Sequence, residues 1–249
     1  MRRIIPVWGV FLVLVWGGAA GAMERPLLDY SFNGEPDGYL VSGAVKAADH
    51  YGLPEQAYLF DGLDDFIDIP NISTSVYTVS VWVLIGPGNT GPEQIRIVDG
   101  WSGGEVFGLS YQEDWDADLP PEELIGYDGP GDYLVGSFHP WADETTLYNE
   151  RHLCFPADLR DGAWHHLAIT FDGLTARLYL DGGEVLSYSF GPHVPSDKVD
   201  YTEADILAFT DLSLGRFKRL NTHFSGSLDL FKYWAVALSP REVAALALQ

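Results

Sequence analysis

WHHLAITFDGLTARLYLDG, residues 164–182, decides the architecture of this chain. From Trp164 to Phe171 the side chains alternate. Trp164, His166, Ala168 and Thr170 fall on one face, and His165, Leu167, Ile169 and Phe171 on the other, so the second face is the better core candidate. Asp172-Gly173 and Asp181-Gly182 are turn dipeptides, and Gly183 to Leu186 begins another extended run, which gives strand, turn, strand, turn, strand. Such spacing is that of an antiparallel meander.

Working outward, YTVSVWVLI (77–85) is rich in β-branched and aromatic residues at every second place and reads as a further strand. One convincing helix stands at SPREVAALAL (239–248), where Ser239 can cap, Pro240 suits the first turn and Glu242 completes a capping box. Many strands, Gly and Asp turns and a single short helix predict an all-β sandwich of two packed antiparallel sheets. Between about residues 86 and 161 the pattern loosens. GPGNTGPE, DADLPPEE and DGPGDY mark long loops between shorter strands, the variable third of the chain in which function is expected.

Residues 1–22 read as a signal peptide: Met1-Arg2-Arg3, an apolar run from Ile4 to Gly18, and Ala20-Gly21-Ala22 as the cleavage site before Met23. The rival is an uncleaved anchor, against which Pro6 and the small residues from Gly17 to Ala22 shorten the apolar length. The expectation is a secreted or periplasmic single domain over 23–249, with no membrane insertion of the mature chain. Loss of Arg2 and Arg3 takes the formal charge from −22 to −24, a surface that repels nucleic acid and suits divalent cations or simple solubility. Cys154 is the only cysteine, so no intrachain disulfide forms, and its apolar neighbours Leu153 and Phe155 predict burial.

Several segments in order resemble the laminin-G-like, concanavalin A-like jelly-roll family: LLDYSFNG (27–34), AYLFDGLDDFIDIP (57–70), YTVSVWVL (77–84), the 164–182 meander, LSLGR (212–216) and FSGSLDLFKYWAVALSPREVAAL (224–246). The resemblance implies two curved antiparallel sheets with the N- and C-terminal segments as neighbours. It does not imply one activity, because the same fold serves sugar binding, adhesion and polysaccharide cleavage. Trp82 and Trp164 are expected to fill space between the sheets.

A glycoside hydrolase needs two carboxylates across the scissile bond. Related jelly-roll glucanases set them in an E-x-D-x-x-E run, and none occurs here. No G-x-S-x-G, H-E-x-x-H, paired cysteines or phosphate loop is present either. Calcium fits the Asp- and Asn-rich turns better. One candidate site joins the loop Asn33 to Asp37, the FDGLDD turn with Asp61, Asp64 and Asp65, and Asp229, and the resemblance implies a structural calcium near the meeting of the chain ends. The alternative is a plain turn with solvated carboxylates. A second acidic stretch, Tyr111 to Asp132, contains no basic residue, so either a cation or a hydrated loop is expected there.

The same third concentrates aromatics: Trp101, Tyr111, Trp115, Tyr127, Tyr133, Trp141 and Tyr148. Rings beside carboxylates can stack on sugar faces, and Trp115, Trp141, Tyr127 and Tyr111 are the candidate ligand residues; the alternative is that they pin loops to the sandwich. The reading is a non-catalytic, exported binding module for a glycan or a cell-surface protein, with calcium assisting. The alternatives are a glycoside hydrolase or polysaccharide lyase with an atypical site in 86–161, and a structural adhesive protein.

Overall fold

The structure is a computed structural model that describes residues 23–34, 38–69, 72, 74–86, 95–102, 104–117, 119, 121–138, 151–190, 211–217 and 221–249; of residues 101, 102, 104–106 and 211 it describes the backbone alone. Two eight-stranded sheets face each other. The first runs β14 (Gly183–Ser189), β13 (Thr175–Leu180), β12 (His165–Phe171), β6 (Tyr77–Ile85), β18 (Ser225–Trp234), β4 (Ala57–Asp61) and β3 (Val45–Ala47), with β1 (Leu28–Tyr30) also paired to β18. The second runs β2 (Leu40–Ser42), β5 (Phe66–Ile69), β15 (Asp211–Leu214), β7 (Ile95–Ser102), β8 (Gly104–Trp115), β10 (Gly131–Phe138), β11 (Arg151–Pro156) and β9 (Leu124–Ile125). A small hairpin, β16 (Arg216–Phe217) and β17 (Thr222–His223), stands beside them. All of these pairings are antiparallel except β11 with β9.

The meander forms as its sequence dictates. Asp172 Oδ1 accepts from the backbone N–H groups of Leu174 and Thr175, closing the first turn. At the second turn Asp181 and Gly182 take φ of 49° and 78°, the left-handed pair that a tight hairpin requires. Leu167, Ile169 and Phe171 enter the core between the sheets, beside Val79, Val81 and Val83 of β6 and Ile67, Leu109, Leu134 and Leu214 of the second sheet. The chain ends are neighbours, since Leu28 to Tyr30 pair with Tyr233 to Phe231.

The other face of the meander is covered as well. α1 (Pro240–Leu246) turns Val243 and Leu246 onto Ala168, Tyr179, Trp234 and Leu238, and each such buried side chain stabilises by about 1.5–3 kcal/mol. Both capping-box bonds between Ser239 and Glu242 are present. Trp234 Nε1 donates to Glu24 O at 2.8 Å, tying the N-terminal segment over the same face.

Two expectations need correcting. Among its described residues the stretch from 86 to 161 is more strand than loop and supplies β7 to β11, with β8 spanning twelve residues. Its alternation is hidden because its outward positions hold polar residues that are nevertheless buried, such as Arg96, Asp99 and Ser110. Trp82, expected between the sheets, lies on the outer face of β6, because Val81 and Val83 take the inward positions; Trp164 contacts the same outer cluster. Among the described residues no helix is long and apolar enough to cross a membrane.

Candidate functional site

The outer face of the second sheet carries an unusual row. Ladder pairing joins Asp68 to Ser213, Ser213 to Asp99, Asp99 to Gly108, Gly108 to Ser137 and Ser137 to His152 across six strands. Asp68, Ser213 and Gly108 sit between inward apolar neighbours, such as Leu212 and Leu214 around Ser213, so alternation turns them, and the residues paired in the same row, outward. Arg96 and Ser110 pair in the next row. Burying such groups costs free energy that an apolar face would not.

The charges are balanced locally. Arg216 Nη2 donates to both oxygens of Asp68, at 2.8 and 3.0 Å, and Ser213 Oγ also donates to Asp68. Arg96 lies 4.0 Å from Asp99, and its guanidinium stands over the Phe217 ring. Ser137 Oγ meets His152 Nδ1 at 2.9 Å. Asp99, Ser213 and Ser137 have no exposed surface, whereas Asp68, Phe66, Arg216 and His223 remain partly open. At this open end the Arg216 guanidinium lies 3.6 Å above the Phe66 ring. A flat apolar ring, a carboxylate and a guanidinium side by side can hold a ring-shaped polar ligand by stacking and by directed hydrogen bonds.

The FDGLDD turn adjoins that end. Asp61, Asp64 and Asp65 bring carboxylate oxygens within 4.8 Å of one another, and His223 Nδ1 is 3.2 Å from Asp65 O. Asp65 is buried, and burial pushes its carboxyl above the usual range despite a hydrogen bond from the Asp61 backbone. Three carboxylates supply part of the six to eight oxygens calcium takes. Asp229 does not join them. It is buried on the outer face of the first sheet, where His50 Nδ1 meets its Oδ2 at 2.6 Å, so the four-residue metal set separates. Asp37 lies outside the described residues.

The candidate ligand rings also divide. Tyr111 is wholly buried in the main core and its hydroxyl is pushed up to about 12, chiefly by burial; with no free ring face, it is a packing residue. Trp115 and Tyr127 are half-buried, with ring centroids 5.4 Å apart and 6.1 and 5.2 Å from that of Tyr133, against Val135 and Cys154. That trio closes the far corner of the same outer face, and Tyr127 OH accepts from Ala117 N, pinning the loop. Trp141 lies outside the described residues.

Within the acidic stretch the cation comes from the chain itself: Arg160 Nη1 donates to Glu113 and Nη2 to Asp132 at 2.9 Å, with Asp158 3.5 Å from Nε. Sequence reasoning missed Arg160, which lies 28 residues beyond Asp132. It also missed the polar row, whose signal was single polar residues flanked by apolar ones, as in FIDI (66–69) and LSL (212–214).

Comparison with known proteins agrees with the two-sheet fold. No curated protein sequence matches the chain. Among solved structures it is similar to domain 4 of AbnA, a GH43 extracellular arabinanase from Geobacillus stearothermophilus in complex with arabinotriose, with 21% identity, a TM-score of 0.55, and coverage of 88% of this chain and 96% of that one. It is also similar to the binding domain of Paraclostridial Mosquitocidal Protein 1 (13% identity, TM-score 0.56, 84% of this chain) and to the binding domain of botulinum neurotoxin DC in complex with SialylT (10% identity, TM-score 0.54, 84% of this chain). The chain spans 46% and 45% of those two toxin domains. The family model for laminin-G-type domains matches residues 61–244, and with the two-sheet sandwich in view, the chain belongs to the concanavalin A-like lectin/glucanases superfamily.

Proposed function

We propose that this chain is an exported, non-catalytic binding module whose ligand is a glycan, held at the open end of the second sheet's outer face. The observation that carries the reading is the buried polar row from Asp68 to His152, which an adhesive scaffold with a plain apolar cover would not need. The ligands in complex with similar folds, arabinotriose and SialylT, support the class without naming this chain's sugar. Because Asp68 and Arg216 neutralise one another, the open end favours a neutral saccharide. Calcium is the ion proposed for Asp61, Asp64 and Asp65, from where it would brace the hairpin that presents Phe66 and Asp68.

A glycan array probed with and without chelator tests this. Wild type is expected to bind at least one glycan, and Asp68→Asn and Arg216→Ala to lose at least tenfold in affinity. No binding by wild type, or unchanged binding by both variants, overturns it. A melting temperature unmoved by excess calcium or chelator removes the ion.

A further inference from the structure

The first sheet has its own polar cluster on its outer face, beyond the end of α1. The turn after β3 is rigid: Asp49 Oδ1 accepts from the backbone N–H groups of Tyr51 and Leu53 at 2.9 and 2.7 Å, and Gly52 N donates back to Asp49 O. This turn holds Tyr51 65% exposed. Beneath it the rings are stepped. His50 lies 4.0 Å from Tyr51 and stacks on Trp82 at 4.4 Å with planes 12° apart, while Trp164 stands edge-on to His50 at 6.5 Å and 71°. His50 cannot turn away, because Nδ1 is held by Asp229 and Nε2 by Gln249 O at 2.7 Å. A solvent-exposed ring on a fixed floor beside an upright ring wall is a shape that a soluble sandwich does not need for its core.

A second, independent observation points to a ligand. Trp82 Nε1 and His166 Nδ1 are buried beside this floor without a hydrogen-bond partner among the described residues, and the two rings lie 5.5 Å apart. His166 is wholly buried, with its other nitrogen 2.8 Å from Ser80 Oγ. Buried polar atoms left unpaired are rare and are commonly met by a bound polar molecule or a water. The neighbouring charges are already engaged. Asp161 and Asp181 both hold His165, and Asp229 holds His50. What stays available is ring surface and neutral hydrogen-bonding groups, since burial keeps His166 neutral at ordinary pH. That set favours a hydroxylated neutral ring over a quaternary ammonium, which would seek uncommitted carboxylates.

We propose that Tyr51, His50, Trp82 and Trp164 form a second saccharide-binding site, on the face of the sandwich opposite the polar row. A hexose or pentose ring lies against Tyr51 and the Trp164 wall, and a trapped water relays its hydroxyls to the buried Trp82 Nε1 and His166 Nδ1. The site shares no residue with the one proposed on the second sheet, and stands whether or not that one does.

Affinity gel electrophoresis of the full chain in soluble arabinan, xylan, mixed-linkage glucan and galactomannan provides the test, with Tyr51→Ala, Trp164→Ala and Asp68→Asn beside wild type. Tyr51 is so exposed that its removal leaves the melting temperature unchanged. The expected result is at least one polysaccharide that retards wild type, retards Tyr51→Ala and Trp164→Ala at least fivefold less, and quenches tryptophan fluorescence in wild type. Retardation of Tyr51→Ala and Trp164→Ala equal to wild type, or no retardation of wild type by any polymer, overturns the proposal. Loss of binding in Asp68→Asn alone would overturn it and leave the other site standing. Binding of a water alone, seen as filled density between Trp82 and His166 in a crystal soaked with the oligosaccharides but no sugar on Tyr51, would overturn it as well.

Discussion

On the outer face of the first sheet, Ala168, Tyr179 and Trp234 disappear beneath α1; on the outer face of the second, the central positions are Ser213, Asp99 and Ser137. Both sets are buried, and both stand on strands whose inner residues fill one shared core. The first face pairs apolar side chains with an amphipathic helix from the same chain, where area removed from water gives the stability. The second holds charges and hydroxyls, each matched by a specific partner, where net stabilisation is small and the penalty for a mismatch is large. One outer face of this sandwich is thus closed by apolar packing and the other by paired polar groups.

The largest break in that contrast should come from Trp234→Ala. It removes the anchor of the helical cover and the bond to Glu24, and is expected to cost about 3–5 kcal/mol in urea unfolding. Asp68→Asn should cost less than about 1 kcal/mol, because the pair with Arg216 is partly exposed. If the two losses prove equal, the polar row is a structural device and the contrast fails.

Acid comes next in size. Burial takes His166 down to about 4 against an ordinary 6.5, so the unfolded chain binds more protons between those values. Its contribution is therefore complete above about pH 6.5 and is lost as the pH falls toward about 4, on the order of 3 kcal/mol. His165, one residue away, goes the other way: burial pulls it down, but hydrogen bonds to Asp181 and Asp161 outweigh this and hold it above its usual value. Its contribution is complete below pH 6.5 and fades as the pH rises through the raised value. Stability measured against pH should lose its acid slope in His166→Phe and its neutral-range slope in His165→Gln. The smallest of the helix effects is Ser239→Ala, about 1 kcal/mol from the lost capping box, read as a small drop in the urea midpoint.

The sequence made the first sheet legible and the second obscure, for physical reasons. In β6, β12 and β13 the inward positions are Val, Leu, Ile and Phe with one Tyr and one Ala, and the turns of the meander are Asp-Gly pairs, so period and punctuation agree. In β7 the inward residues Ile97 and Val98 are consecutive, because the register shifts between Arg96 and Val98, and a bulge breaks the period of two on which strand recognition rests. Aromatics beside carboxylates are the ligand signal in this stretch, yet Tyr111 lies in the core, and Arg160, far along the chain, satisfies the nearby Glu113. Partners separated by that much chain leave no local signal.

Cys154 offers a way to watch these differences in time. It is the only thiol in the sequence, sits on β11 with no exposed surface, and is pushed up to about 12 by burial. Its sulfur is therefore inert until the rim of the second sheet opens. The rate at which a thiol reagent labels the native protein becomes a clock for that opening. Read against global unfolding under the same conditions, it reports whether the second sheet breathes apart from the helix-covered one or only when the whole sandwich gives way.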